Sequence, residues 1–271
     1  MKEKIFLFLI IFFLSLSGNN ILSPRIFAQN NDSLKIVPRT VLVELFAQEA
    51  CTSCPTAEFC LEDLAWEYGT AQFILVEEHL WGDGYDTPET NARYNWYVGD
   101  SKRGTPDVFI DGLTKRLQGL SCDCVEGNYE CYKDAIDEEL ARPSLLELSA
   151  VNIPHPNSLP QGEREEEVEI ANIIIEGMVK NISDTSLKDL AVCGMLGKEG
   201  DESGLYNYIQ DIFPFQNMPP LLPGTTFSFK FVPEISLTPE SEIDGEEEIL
   251  HLVIFVQNIE TKEILQALYI E

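Results

Sequence analysis

An apolar run, Val41-Leu42-Val43, leads straight into residues 44–55, E-L-F-A-Q-E-A-C-T-S-C-P, and an amphipathic stretch follows. A buried strand that turns into a helix with a Cys-x-x-Cys pair on the turn leaves few folds open. The spacing alone is shared by zinc knuckles, haem attachment sites and structural disulfides. The surroundings discriminate between them. Haem attachment needs a His after the second Cys, where Pro55 stands, and a zinc ribbon needs a second C-x-x-C, which the chain lacks. A redox pair fits best.

The chain has 271 residues, enough for two ordinary domains that each bury a core. Met1-Lys2-Glu3-Lys4, an apolar block over residues 5–16, small residues after it and a cleavage point behind Ala28 read as a secretory signal over residues 1–28. The block is shorter than the roughly 18–20 residues that cross a bilayer, so a cleaved leader is expected rather than an anchor. Export permits disulfides, and seven cysteines leave one thiol over. The formal net charge of −28 grows more negative without Lys2, Lys4 and Arg25. Such a surface repels nucleic acid and anionic lipid, so neither is expected as a partner.

Residues 29–39 read as a polar linker. Residues 40–46 form a strand, 56–68 a helix stopped by Gly69, 71–76 a second strand and 89–98 a second helix. Residues 103–112, R-G-T-P-D-V-F-I-D-G, place a Pro at the entry of a short strand that ends in an Asp-Gly turn, with residues 113–120 as the hairpin partner. A helix over 132–142 completes a β-α-β-α-β-β-α unit at residue 143. Residues 144–271 carry seven strand patterns, at 145–152, 168–180, 187–197, 206–215, 225–232, 249–257 and 264–270, and no convincing helix. They are expected to form an antiparallel β-sandwich of immunoglobulin-like architecture.

The strand, the C-x-x-C at a helix start and the Thr-Pro entering a hairpin together resemble the thioredoxin fold over residues 40–143. E-L-F, C-x-S-C-P and T-P-x-x-x-x-D-G are similar to secreted bacterial thioredoxin-like proteins that place such a domain before a β-sandwich. The resemblance implies that Pro106 is cis and lies against the active-site disulfide, and that the backbone of Thr105 receives substrate. It also implies that Glu44 is the buried acid supporting the pair. Ala50, Thr52-Ser53 and Pro55 depart from thioredoxin proper, which carries Trp, Gly-Pro and a basic residue there.

A helix N-terminus stabilises a thiolate, so Cys51, the more N-terminal thiol, is expected to be the nucleophile and Cys54 the resolving thiol. The reading is an exported thiol–disulfide oxidoreductase that acts on extracytoplasmic client or redox-partner proteins without cofactor or metal. A scaffold whose Cys51–Cys54 disulfide is purely structural, serving an envelope or secreted binding protein, is the alternative, and copper handling by the two thiols is a third. Cys122, Cys124 and Cys131 are expected in disulfides, with Cys60 as a fourth partner, in preference to zinc. Cys193 reads as an inert buried thiol, and His79, near Asp83, as loop packing.

Overall fold

Short runs buried on both faces, as in residues 41–47 and 73–79, and well-placed helix stops generate the elements, as a computed structural model describes them for residues 37–119, 129–154, 170–198, 207–236 and 250–270. The first half contains β1 (Val41–Ala47), α1 (Cys54–Tyr68), β2 (Phe73–His79), α2 (Pro88–Val98), β3 (Asp107–Ile110), β4 (Lys115–Gln118) and α3 (Glu130–Leu140). Pro55 lies in the first turn of α1, where no intrahelical N–H is needed, and Gly69, at φ 71°, ends the helix. For α2, the Thr87 hydroxyl accepts from the Thr90 amide at 3.0 Å, and the Thr90 hydroxyl accepts from the Thr87 amide.

The second half contains β5 (Leu146–Pro154), β6 (Ile170–Asn181), β7 (Leu190–Lys198), β8 (Tyr208–Asn217), β9 (Thr226–Phe231), β10 (Glu234–Ser236), β11 (Leu250–Asn258) and β12 (Ile264–Ile270). The seven expected strands are present within a few residues, and the short β10 is additional. The molecule is a mixed α/β protein dominated by its sheets. No helix among the described residues is long and apolar enough to cross a membrane.

The sheets do not respect the expected border at residue 143. One eight-stranded sheet runs β12-β11-β7-β8-β2-β1-β3-β4, and four of its strands come from beyond that border. The halves meet where β8 starts beside β2, with Tyr208 in parallel register with Glu77. Asn207 secures the junction: its side-chain amide donates to the Leu75 carbonyl at 2.8 Å, and its backbone carbonyl accepts from the Glu77 amide. Pairing satisfies backbone groups that β2 would otherwise expose at an open edge.

The large sheet curls until β12 returns to the start of β1. The Thr40 amide donates to Gln266 Oε1 at 2.9 Å. Arg39, expected in the linker, is buried; it donates to Asp111 Oδ2 from Nε and Nη2, and to the carbonyls of Ile264 and Leu265. Leu42, Ile74 and Val76 thereby share a core with Cys193, Met195, Val253 and Phe255.

The alternate residues of β1, Val43, Leu45 and Ala47, pack on the opposite face with Leu61 and Leu64 of α1 and Ile136 of α3. β5, β6, β9 and β10 form a second sheet, centred on β6, that packs on the large one. Leu146, Ile175, Val179 and Phe229 meet Val192, Leu196 and Ile254 there.

Candidate functional site

β1 ends at Ala47, and the chain makes one tight turn before α1. The Cys51 amide donates to the Gln48 carbonyl at 2.9 Å, and the Cys54 amide donates to the Cys51 carbonyl at 3.3 Å. Cys54 is the first helical residue, so Cys51 lies one turn ahead of the helix rather than inside it. The two are joined in a disulfide with 5.4 Å between their Cα atoms.

Cys54 is 1% exposed in the core under α1, whereas Cys51 is only partly buried. An incoming sulfur therefore reaches Cys51 and not Cys54. The Ser53 hydroxyl lies 3.6 Å from Cys51 Sγ. Together with the open N–H groups at the start of α1, it can donate to a thiolate formed there. Ser53 is visible in the sequence only as the residue between the thiols.

Thr105 and Pro106 are joined by a cis peptide bond. Asp107 pairs with Phe46 in the antiparallel β1–β3 ladder, so Pro106 stands at the end of β1, on the approach to the Cys51 turn. Asp107 holds this loop. Its carboxylate accepts from Tyr94 Oη at 2.9 Å, from both Nε and Nη2 of Arg116, and from Gln118. The Gly104 amide donates to Tyr94 Oη. The sequence motif included Asp107 without a role, and its partners come from elements that only the fold assembles.

Glu44 does not join the disulfide. Successive residues of a strand point to opposite faces, and Val43 and Leu45 take the α1 face. Glu44 points into the curl of the sheet, fully buried, where it accepts from Arg93 Nε and from Tyr97 Oη at 2.6 Å. Arg93 and Tyr97 continue to Gln257 on β11. Glu78 lies in the same pocket of charge, with Arg93 Nε at 3.7 Å and neither oxygen accepting a hydrogen bond among the described residues. Burial, and then the Glu44 charge, push its carboxyl well above the usual range.

Other acids occupy the disulfide's face. Glu77 and His79 on β2 pair in register with Leu45 and Ala47. Glu77 Oε1 is 3.0 Å from His79 Nε2, and Asp83 Oδ2 is 2.5 Å from Nδ1. Burial alone would lower the imidazole's pKa, but these two carboxylates outweigh it and raise it to about 9. Asp83 also accepts from the Glu49 amide at 3.0 Å, which ties the ion-paired histidine to the turn carrying Cys51. Glu58, one helical turn beyond Cys54, is lifted to about 7 by burial and by the charge of Glu77, against the opposing pull of His79. The sequence signal for this group was the H-x-x-x-D spacing.

Cys60 and Cys131 are each disulfide-bonded. Cys122 and Cys124 lie outside the described residues. Cys193 is a free, buried thiol, pushed up to about 12 by desolvation.

No protein-family model matches the chain, and no curated protein matches it. Among solved structures, the chain is similar to HBP35 of Porphyromonas gingivalis, with a TM-score of 0.59 at 16% identity over 86% of this chain and 75% of that one. The two share a fold over that span. A domain of the outer membrane lipoprotein Omp28 from Porphyromonas gingivalis matches 47% of this chain at 11% identity, covering 88% of its own length with a TM-score of 0.27. A Bacteroides uniformis beta-glucuronidase matches 46% of this chain at 19% identity, over 12% of its own length and with a TM-score of 0.30.

Proposed function

We propose that this chain is an exported thiol–disulfide oxidoreductase, thioredoxin-like over residues 40–143 with a β-rich second half that extends its large sheet, that exchanges disulfides with extracytoplasmic proteins. The observation that carries the reading is the Cys51–Cys54 disulfide at the start of α1, with Cys51 accessible and Cys54 buried. The Ser53 hydroxyl beside Cys51 and the Thr105-Pro106 segment at the end of β1 support it. Residues 1–28 support export.

In the reductive direction, the Cys51 thiolate attacks a client disulfide, forms a mixed disulfide and expels one client thiolate. The Cys54 thiolate then attacks Cys51 Sγ, closes the Cys51–Cys54 bond and releases the second client thiolate, so two electrons pass to the client. The reverse sequence oxidises a client dithiol.

Cys54→Ser removes the resolving thiol and should accumulate mixed disulfides on Cys51 in envelope extracts, visible as reductant-sensitive adducts on non-reducing gels. The same extracts should give none with the Cys51→Ser/Cys54→Ser variant. Equilibration in graded thiol buffers should place the pair roughly between −120 and −270 mV, the range of working oxidoreductases. A value below about −300 mV, together with an absence of adducts, would instead mark a structural disulfide and favour a binding protein.

A further inference from the structure

The outer face of α1 carries an apolar line that nothing in the described structure covers. Pro55, Phe59 and Trp66 stand at i, i+4 and i+11, which places them on one side of the helix, opposite the buried Ala57, Leu61 and Leu64. Phe59 is 44% exposed and Trp66 is 81% exposed. These side chains span about 16 Å, at 1.5 Å per residue, from Pro55 beside Cys54 to Trp66, with Glu62 on the same side between Phe59 and Trp66.

Its flanks are acidic. α1 contains no Lys, Arg or His, and Glu58, Glu62 and Asp63 border the aromatics with no ion pair among the described residues. Glu67 is bound by Lys133 at 2.9 Å. Burial raises the Glu62 carboxyl, and the charges of Glu77 and Asp63 raise it further, which reports negative charge crowded without a counterion.

We infer that this face of α1 docks the client, and that the client is a basic, apolar polypeptide segment bearing the sulfur that exchanges with Cys51. The inference rests on the oxidoreductase reading. An exposed Trp and Phe offer the kind of aromatic contact that dominates interfaces, and cationic side chains would relieve the acidic flanks. A second copy of this chain fits badly, because it would bring two such acidic faces together on molecules of formal charge −28.

The test compares reductants of the oxidised full-length protein: a two-cysteine peptide of lysines and leucines, the same peptide with glutamates for lysines, and dithiothreitol. In each case a thiolate attacks Cys51 Sγ and Cys54 leaves as thiolate; the reductant's second thiolate then attacks its own sulfur in the mixed disulfide, expels the Cys51 thiolate and leaves the reductant as a disulfide. Dithiothreitol reports the disulfide chemistry alone. The basic peptide should outpace the acidic one by about tenfold relative to dithiothreitol, and Trp66→Ala should remove about that factor. Glu62→Lys with Asp63→Lys should invert the preference. Carbodiimide should cross-link Glu62 or Asp63 to the peptide's lysines.

Equal rates for the two peptides beside normal reduction by dithiothreitol would overturn the docking face and leave the oxidoreductase reading intact. Cross-links to Lys2, Lys4 or Lys35 of the same chain, or a dimer in sedimentation lost in Trp66→Ala, would assign the face to another occupant and overturn the inference. A disulfide that none of the three reduces would overturn both readings.

Discussion

His79 is buried between two carboxylates, and that environment fixes its charge over the whole neutral range. With its pKa raised to about 9 in the folded chain, against about 6.5 when unfolded, the native state binds the proton more tightly. The stability this contributes is fully present below about pH 6.5 and is lost as the pH rises through about 9, on the order of 3 kcal/mol. Urea unfolding at pH 6, 7.5 and 9.5 should show that decline, and His79→Gln should flatten it while lowering stability at pH 6. An NMR titration of the ring gives the pKa directly. Asp83 also holds the Glu49 amide, so the same variant should loosen the Cys51 turn and speed hydrogen exchange there.

At the scale of elements, α2 locks the curl of the sheet. Arg93 and Tyr97 bridge Glu44 on β1 to Gln257 on β11, and Arg93 lies over the Phe255 ring at 5.0 Å. Arg93→Ala strands Glu44 and the neighbouring Glu78 without a cation, and should cost about 3–5 kcal/mol. The double variant Arg93→Met/Glu44→Leu removes both charges and should recover much of that loss, as denaturant unfolding of the two variants would show. A merely peripheral ion pair would give less than about 1 kcal/mol for the single change. α2 itself was legible in the sequence as a helix over residues 89–98, one residue short of its start at Pro88. Its partners were not, because Gln257 lies 164 residues from Arg93 and no local pattern encodes such a contact.

At the scale of the molecule, the continuous eight-stranded sheet makes the halves interdependent. Gly112, at φ 69°, packs against the turn between β11 and β12 so closely that an added Cβ would sit 1.9 Å from the Lys262 carbonyl oxygen. Gly112→Ala should therefore cost several kcal/mol through clash and left-handed strain, on the order of 2–4. It should lower a single unfolding transition followed alike by tryptophan fluorescence and far-ultraviolet circular dichroism. Two separate transitions, with only one displaced, would show that the halves fold independently.

Much of this architecture follows from local chemistry already present in the sequence. Alternation over residues 40–46, Pro55 in a first turn, Gly69 as a stop and the Asp-Gly turn after Ile110 specify elements through backbone sterics and burial, which act over a few residues. The thiols at 51 and 54 could meet because one tight turn brings them together. The face on which Glu44 falls was decided by tertiary structure. Strand alternation separates two faces but does not say which one α1 will cover, and here the helix took Val43 and Leu45 and left the acid to Arg93. The joining of β8 to β2 and the return of β12 to Arg39 likewise arose only on folding. Each satisfies a backbone edge or a buried charge with a partner that the chain brings close only when the sheet curls.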